Sequence, residues 1–174
     1  MPKIIENLRE KLLKEAKKQV MEQGYSALTI RSVANACGVG VGTVYNYFPS
    51  KDMLIASFML EDWMGCLAVI EAGCAKTSEP EQALGCIYKE ILCFMQKYEL
   101  LFCDKDAEAS SSGYLHQRHA MLRNQIAKPI LALCQKQTKA NPEFLAEFIA
   151  EAMLAWAGSE RSFEEISSIL LQLF

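Results

Sequence analysis

Between positions 29 and 51 the chain collects side chains suited to gripping a polyanion rather than to bond-making chemistry. Hydroxyls at Thr29, Thr43, Tyr45 and Tyr47, the amide of Asn46 and the cations of Arg31 and Lys51 are all donors that fit phosphate oxygens. Thr43 and Asn46 can also bond base edges, and the methyl groups of Val41 or Thr43 can touch a thymine methyl. Around them lie Gly38, Gly40 and Gly42, so the stretch is slim at its start and aromatic at its end. A helix pushed end-first into the major groove of DNA needs such a tip, because bulk there blocks approach to the bases.

These side chains need a frame, and the apolar spacing supplies one. Ile30, Val33, Ala34, Val39, Val44 and Phe48 fall where two short helices joined at Gly38 would share a small core, with Thr29 capping the first. Ahead of them a helix over about Ile4 to Glu22 carries Ile5, Leu8, Leu12, Ala16 and Val20 on one stripe and ends at Gly24. After Pro49, Ser50 restarts the chain, with Asp52 in the first turn of a helix that runs to about Cys74. Ser78-Glu79-Pro80-Glu81 reads as a capping box opening a helix with Leu84, Ile87, Ile91 and Met95 on its stripe. Asp104 to Gly113, with Ser110-Ser111-Ser112, breaks the period and is expected to be a mobile loop. Helical spacing returns from Leu115, interrupted by Pro129, which is expected to kink its helix. Asn141-Pro142 opens a helix to Gly158, and Ser162 with Glu165 opens the last. No strand pattern emerges, so the fold class is all-α.

The bulk properties agree with a folded globular chain. At 174 residues with 51% apolar side chains, one packed domain, or a small one joined to a larger one, is available. Residues 1–52 hold eight Lys/Arg against five Asp/Glu, and residues 53–174 hold ten against sixteen, so a basic head precedes an acidic body. No uninterrupted apolar run reaches the roughly 18 residues of a membrane span, and charges from Lys3 to Lys18 leave no signal segment. The expectation is a cytoplasmic protein without a membrane partner. Seven cysteines, an odd number with no C-x-x-C pair, speak against a disulfide framework or zinc cluster and for small buried hydrophobes.

The motif Thr29-Ile30-Arg31-x-Val33-Ala34, Gly38-Val39, Gly42-Thr43-x-Tyr45-x-x-Phe48 and Ser50-Lys51 resembles the N-terminal domain of the TetR family of bacterial transcriptional repressors. The likeness covers about residues 5–60. It implies a three-helix, helix-turn-helix DNA-binding domain over residues 1–49, then a helical ligand-binding and dimerisation domain over 50–174. It also implies a homodimer, a double-stranded DNA operator and a small-molecule effector. Carried across position by position, Thr29, Tyr45, Tyr47 and Lys51 would hold phosphates, while Arg31, Val41, Gly42, Thr43 and Asn46 would face or adjoin bases. The chain departs from the pattern at Gly40, where a Ser-like cap is commoner, and at Val41, where a polar or basic residue is frequent. With no Arg or Lys between Val39 and Phe48, an operator whose central contacts favour A·T pairs is expected.

In the body, Leu145, Phe148, Ala152 and Trp156 line one face of a helix, and Phe163, Ile166, Ile169, Leu170 and Leu173 line the next. Two such helices from each of two subunits would make a four-helix dimer interface. Glu143, Glu147 and Glu151 read as a solvated acidic ridge. Trp63, Cys66, Tyr88, Ile91, Met95, Tyr98, Tyr114 and His119 are candidates to line a mostly apolar pocket, since Tyr hydroxyls and His119 need partners when buried. No cofactor is implied. Cys103 or Cys134 with His116 or His119 lacks an orienting third group, and His116-x-x-His119 lacks matching carboxylate or Cys ligands, so no enzyme is read here. The alternatives are a thiol- or metal-responsive regulator on this fold, or a helical interaction protein without operator binding.

Overall fold

A computed structural model describes residues 6–102, 105–137, 141–159 and 161–174, the side chains of 102, 105–118 and 137 excepted. Among the described residues the regular elements are all helical: α1 (Leu8–Gln23), α2 (Ile30–Cys37), α3 (Val41–Tyr47), α4 (Lys51–Cys74), α5 (Pro80–Lys97), α6 (Glu99–Phe102), α7 (Lys105–Gln137), α8 (Pro142–Ala157) and α9 (Phe163–Leu170), with a closing 3₁₀ turn over Leu171–Leu173. They form two compact units. One holds Met1–Asp62 with Tyr98–Ser112, and the other Trp63–Lys97 with Gly113–Phe174. Helix α4 contributes its first half to one and its second half to the other.

The first unit is organised by the stripe of α1. Leu8, Leu12, Leu13, Ala16 and Val20 are buried, joined by Leu28, Ile30, Val33, Ala34, Val44 and Phe48. Each fully buried side chain of this size contributes roughly 1.5–3 kcal/mol. Two glycines shape the path. Gly24 (φ +82°) ends α1, and Gly38 (φ +67°) ends α2 in left-handed backbone that side-chain-bearing residues avoid. Thr29 caps α2 by accepting from the Ser32 N–H at 2.9 Å, and Ser32 returns the favour to the Thr29 N–H at 3.1 Å. Farther along, Tyr98 stacks on Phe58 (centroids 6.1 Å) and donates to Asp62 Oδ2 at 2.6 Å, while Lys17 Nζ reaches both oxygens of Asp62 at 2.7 and 2.8 Å.

The second unit is built on α5, α7, α8 and α9. Leu84, Ile87, Tyr88 and Ile91 of α5, Ile126 and Ile130 of α7, Ile149 and Met153 of α8, and Ile166 and Leu170 of α9 are buried. Asn141 caps α8 by accepting from the Phe144 N–H at 3.3 Å. Ser162 and Glu165 close the expected capping box on α9.

Two sequence expectations need revision. Residues 105–113 are the first turns of α7 rather than a loop. Ala107-Glu108-Ala109 are strong helix formers, and the serines and Gly113 cost too little to stop a helix that continues behind them. Cys103 and Asp104 lie outside the described residues. Pro129 lies inside α7, as its place within a continuing stripe implied. At the start of α5, Thr77 Oγ1 accepts from the Glu79 N–H at 3.1 Å, so a hydroxyl one residue ahead of the expected Ser78 reaches the turn. By length and composition alone α4 would suffice to cross a membrane. In the structure Leu54 and Phe58 are buried in the first unit, Trp63 and Ile70 are buried in the second, and Asp62 is paired with Lys17.

Candidate nucleic-acid interface

Helix α3 is seven residues long and is held from one side. Val44 is fully buried and Phe48 nearly so, and Arg9 lies over the Phe48 ring at 5.8 Å. The period of the helix therefore turns the other positions outward. Gly42, Tyr45, Asn46 and Tyr47 are exposed, and Val41 and Thr43 are half-buried. Tyr45 and Tyr47 keep 50% and 46% of their surface in solvent, which leaves their hydroxyls able to meet an incoming anion. Neither acid nor base stands on this face. Its reading capacity rests on one amide, one threonine hydroxyl, and methyl groups.

The flanking donors are placed by α2 and by the start of α4. Thr29 and Arg31 are exposed at the first turn of α2. The Thr29 oxygen is engaged as a cap, yet its own hydroxyl proton is available to donate. Ser50 caps α4 by accepting from the Met53 N–H at 3.1 Å. Lys51 Nζ sits 3.6 Å from the centroid of the Tyr25 ring, and the Tyr25 hydroxyl donates to Asp52 Oδ1 at 2.7 Å. The ring thus orients the ammonium while Asp52 anchors the ring. Sequence reasoning passed over Tyr25. An aromatic directly after the helix-ending Gly24 was the available signal.

The expected pocket residues divide between environments. Trp63 is buried, donates its Nε1–H to Gln125 Oε1 at 2.7 Å, and meets Phe94 edge-on at 5.2 Å. Tyr88 is buried, and its hydroxyl lies within hydrogen-bond reach of the carbonyls of Trp156 (3.2 Å) and Arg161 (3.4 Å). Burial pushes the Tyr88 phenol above its ordinary range. Ile91 is buried, and Cys66 and Met95 are half-buried. Tyr98 belongs to the other compact unit, where Asp62 holds it. His119 is not the buried polar handle its sequence position suggested. It is exposed and lies 2.8 Å from Glu151, with Arg123 3.9 Å from the same carboxylate, so that end of the acidic ridge is paired rather than merely solvated. The side chain of Tyr114 lies outside the described residues.

The apolar stripes of α8 and α9 also divide. Ile166 and Leu170 are buried within their own chain, and Leu145, Ala152, Trp156 and Phe163 are half-buried. The apolar side chains left in solvent are Phe148 (51%) and Leu173 (36%), joined by Phe144 (67%) and Ile169 (56%). Phe144 was missed because it sits in the first turn, ahead of the stripe read from Leu145 onward.

The thiols are mostly quiet. Cys37, whose sulfur faces the Lys11 carbonyl at 3.8 Å, is pushed up chiefly by burial and then by Glu15; Cys134 is pushed up by burial. Such groups are poor nucleophiles at neutral pH. Among the described residues no group of three or more His, Cys, Asp or Glu side chains is arranged to hold a metal. Cys103 and the side chain of His116 lie outside the described residues.

Known proteins carry the same head. Residues 12–58 match the family of bacterial regulatory proteins of the tetR type. The chain is 25% identical over 171 residues to the HTH-type transcriptional repressor KstR of Mycobacterium tuberculosis, covering 93% of this chain and 76% of that one. It is 37% identical over 54 residues to the HTH-type transcriptional regulator HbdR of Aromatoleum sp. (strain CIB), spanning 31% of this chain and 24% of the relative. Among solved structures, a TetR-family regulator from Pectobacterium atrosepticum superposes with a TM-score of 0.67 at 20% identity, over 95% of this chain and 89% of that one. The fatty acid degradation regulator FadR from Bacillus halodurans gives 0.63 at 15% identity, over 98% and 96%. An all-α chain with a helix-turn-helix head and a helical body is thereby placed among DNA-binding transcriptional regulators. Its head, over residues 12–58, is that of the TetR family.

Proposed function

We propose that this chain is a ligand-responsive repressor. In this reading it binds a palindromic operator as a homodimer in the cytoplasm and lets go when a small, mostly apolar effector occupies its body. The observation that carries the reading is the outward face of α3, where Gly42, Tyr45, Asn46 and Tyr47 are exposed around the buried Val44. Thr29, Tyr45, Tyr47 and Lys51 take phosphates, while Arg31, Val41, Gly42, Thr43 and Asn46 face or adjoin bases. Repression is supported by the likeness to KstR along most of the chain. The exposed Phe144, Phe148, Ile169 and Leu173 support pairing with a second copy, since four large apolar side chains on α8, α9 and the closing 3₁₀ turn are costly to leave in water. A mostly apolar effector is supported by the character of Trp63, Ile91, Met95 and Cys66 in the second unit, with Tyr88 as a polar handle.

The test is selection of the full-length protein against a random pool of double-stranded DNA, followed by anisotropy titration of the enriched sequence. The expected result is a palindrome with half-sites separated by about one helical turn or a multiple of it. Equal affinity for the enriched sequence and its scrambled form would defeat the reading and leave a helical interaction protein in its place. A candidate effector is then scored by the loss of operator affinity at saturation, because coupling requires different affinity for the two DNA-binding states.

A further inference from the structure

The second unit brings two thiols from adjacent helices to one spot. Cys74 closes α4, and Cys86 lies in the second turn of α5. Gly73 faces Cys86 so directly that a side chain there would collide with the Cys86 sulfur, and its β carbon would stand 3.5 Å from the Cys86 β carbon. Cys74 is the next residue, with its α carbon about 3.8 Å along the chain. Its thiol is turned toward α5, 4.0 Å from the carbonyl oxygen of Ala83, one turn before Cys86. A disulfide needs α carbons about 4.4–6.8 Å apart. The absent side chain at Gly73 lets the Cys86 side chain pack against the end of α4, next to Cys74 in the chain. Both thiols are half-buried, within reach of a small reagent.

We propose that Cys74 and Cys86 form a redox-modification site that closes to an intramolecular disulfide, joining the end of α4 to α5, and reopens on reduction. The oxidant is a low-molecular-weight disulfide, RSSR. The Cys86 sulfur, having given up its proton, attacks RSSR, breaks its S–S bond and releases RS⁻, which takes up a proton as RSH. The Cys74 sulfur then attacks the Cys86 sulfur of the mixed disulfide, forms the protein S–S bond and expels the second RSH with the Cys74 proton. Two protein thiols lose two electrons, and RSSR gains them as two RSH. Burial, and after it the neighbouring Cys86, pushes the Cys74 thiol up to about 11, which makes Cys74 a poor first nucleophile and suits it to the resolving step.

The full chain is treated with oxidised glutathione, alkylated and digested with trypsin. Cleavage after Lys51, Lys76 and Lys89 separates Asp52–Lys76 from Thr77–Lys89, so the link shows as a joined pair of peptides that dithiothreitol splits. Expected is a joined pair in excess of glutathione adducts on either peptide. Cys86→Ser removes the pair. Cys74→Ser also removes it and leaves glutathione on Cys86, which excludes Cys66 of the same peptide as the partner. The proposal is overturned if Cys74 and Cys86 of the unaltered chain carry separate adducts with no joined pair, or if the joined pair survives Cys74→Ser. The unaltered chain decides the first point without any variant having to fold.

Discussion

The Tyr98 hydroxyl donates to the Asp62 carboxylate at 2.6 Å, on an oxygen that also receives Lys17 Nζ at 2.8 Å. Three segments far apart in sequence thus meet at one half-buried carboxylate, with Lys17 of α1 as its counter-ion. Hydrogen bonds to a charged group are worth about 1.5–3 kcal/mol, against about 1 for neutral ones. Asp62→Ala is expected to lower unfolding free energy by about 2–3 kcal/mol, and Tyr98→Phe by about 1–2, in urea titrations of the two variants. Cost below about 0.5 kcal/mol for Asp62→Ala would show the cluster to be incidental.

Base reading by α3 has a distinct signature. Thr43→Ala and Asn46→Ala should each weaken operator binding by about 1–3 kcal/mol and flatten preference at one base pair, with circular dichroism unchanged. Placing G·C in turn at each half-site position should weaken binding most at the central contacts. Indifference to those swaps would remove the A·T expectation.

Lys51 should behave differently. Lys51→Met is expected to weaken all DNA sequences alike and to reduce the slope of log affinity against log salt by about one. Tyr25→Leu, which takes away the ring beneath the ammonium, should give a smaller loss of the same kind. A loss confined to one operator position would reassign Lys51 to base contact.

For pairing of subunits, Phe148→Asp is the informative change, because Phe148 is half in solvent within its own chain. Sedimentation at micromolar concentration should show a folded monomer. Ile166→Asp should instead unfold the chain, since Ile166 is buried. If Phe148→Asp leaves a dimer, the interface lies elsewhere.

Alkaline stability follows from Tyr88. Its phenol is raised by burial in the folded state, so the unfolded chain releases that proton first, near the ordinary value of about 10. The folded form then holds the extra proton, and unfolding free energy falls as pH climbs past about 10, while below that it is insensitive to this group. Tyr88→Phe should be less stable near pH 8, through lost bonds to the carbonyls of Trp156 and Arg161, yet lose less between pH 9 and 11. Parallel slopes for both proteins would contradict the assignment.

Local signals were readable in the sequence because they act within a few residues. The Thr29 cap, the Gly38 turn, Asn141 before Pro142 and the Ser162–Glu165 box all stand where spacing put them. So do the buried Val44 and Phe48, which turn the rest of α3 outward. The loop expected over 104–113 was misread over its helical part because breaker residues were weighed without the helix formers beside them. The inward side of α9 could not be chosen from sequence, since Ile166, Ile169, Leu170 and Leu173 spread over a broad arc and partners on other elements decide which of them is covered. The Lys17–Asp62 pair spans 45 positions, and no short pattern announces such a contact.

Because α3 is moored through its own Val44 and through Phe48 just after it, the outward positions can be rewritten with little penalty to folding. A chimera that keeps 44 and 48 but borrows 41, 43, 45, 46 and 47 from another reader is expected to take on that reader's target while keeping this chain's helical body. The same economy gives natural lineages of such proteins a cheap route to new promoters.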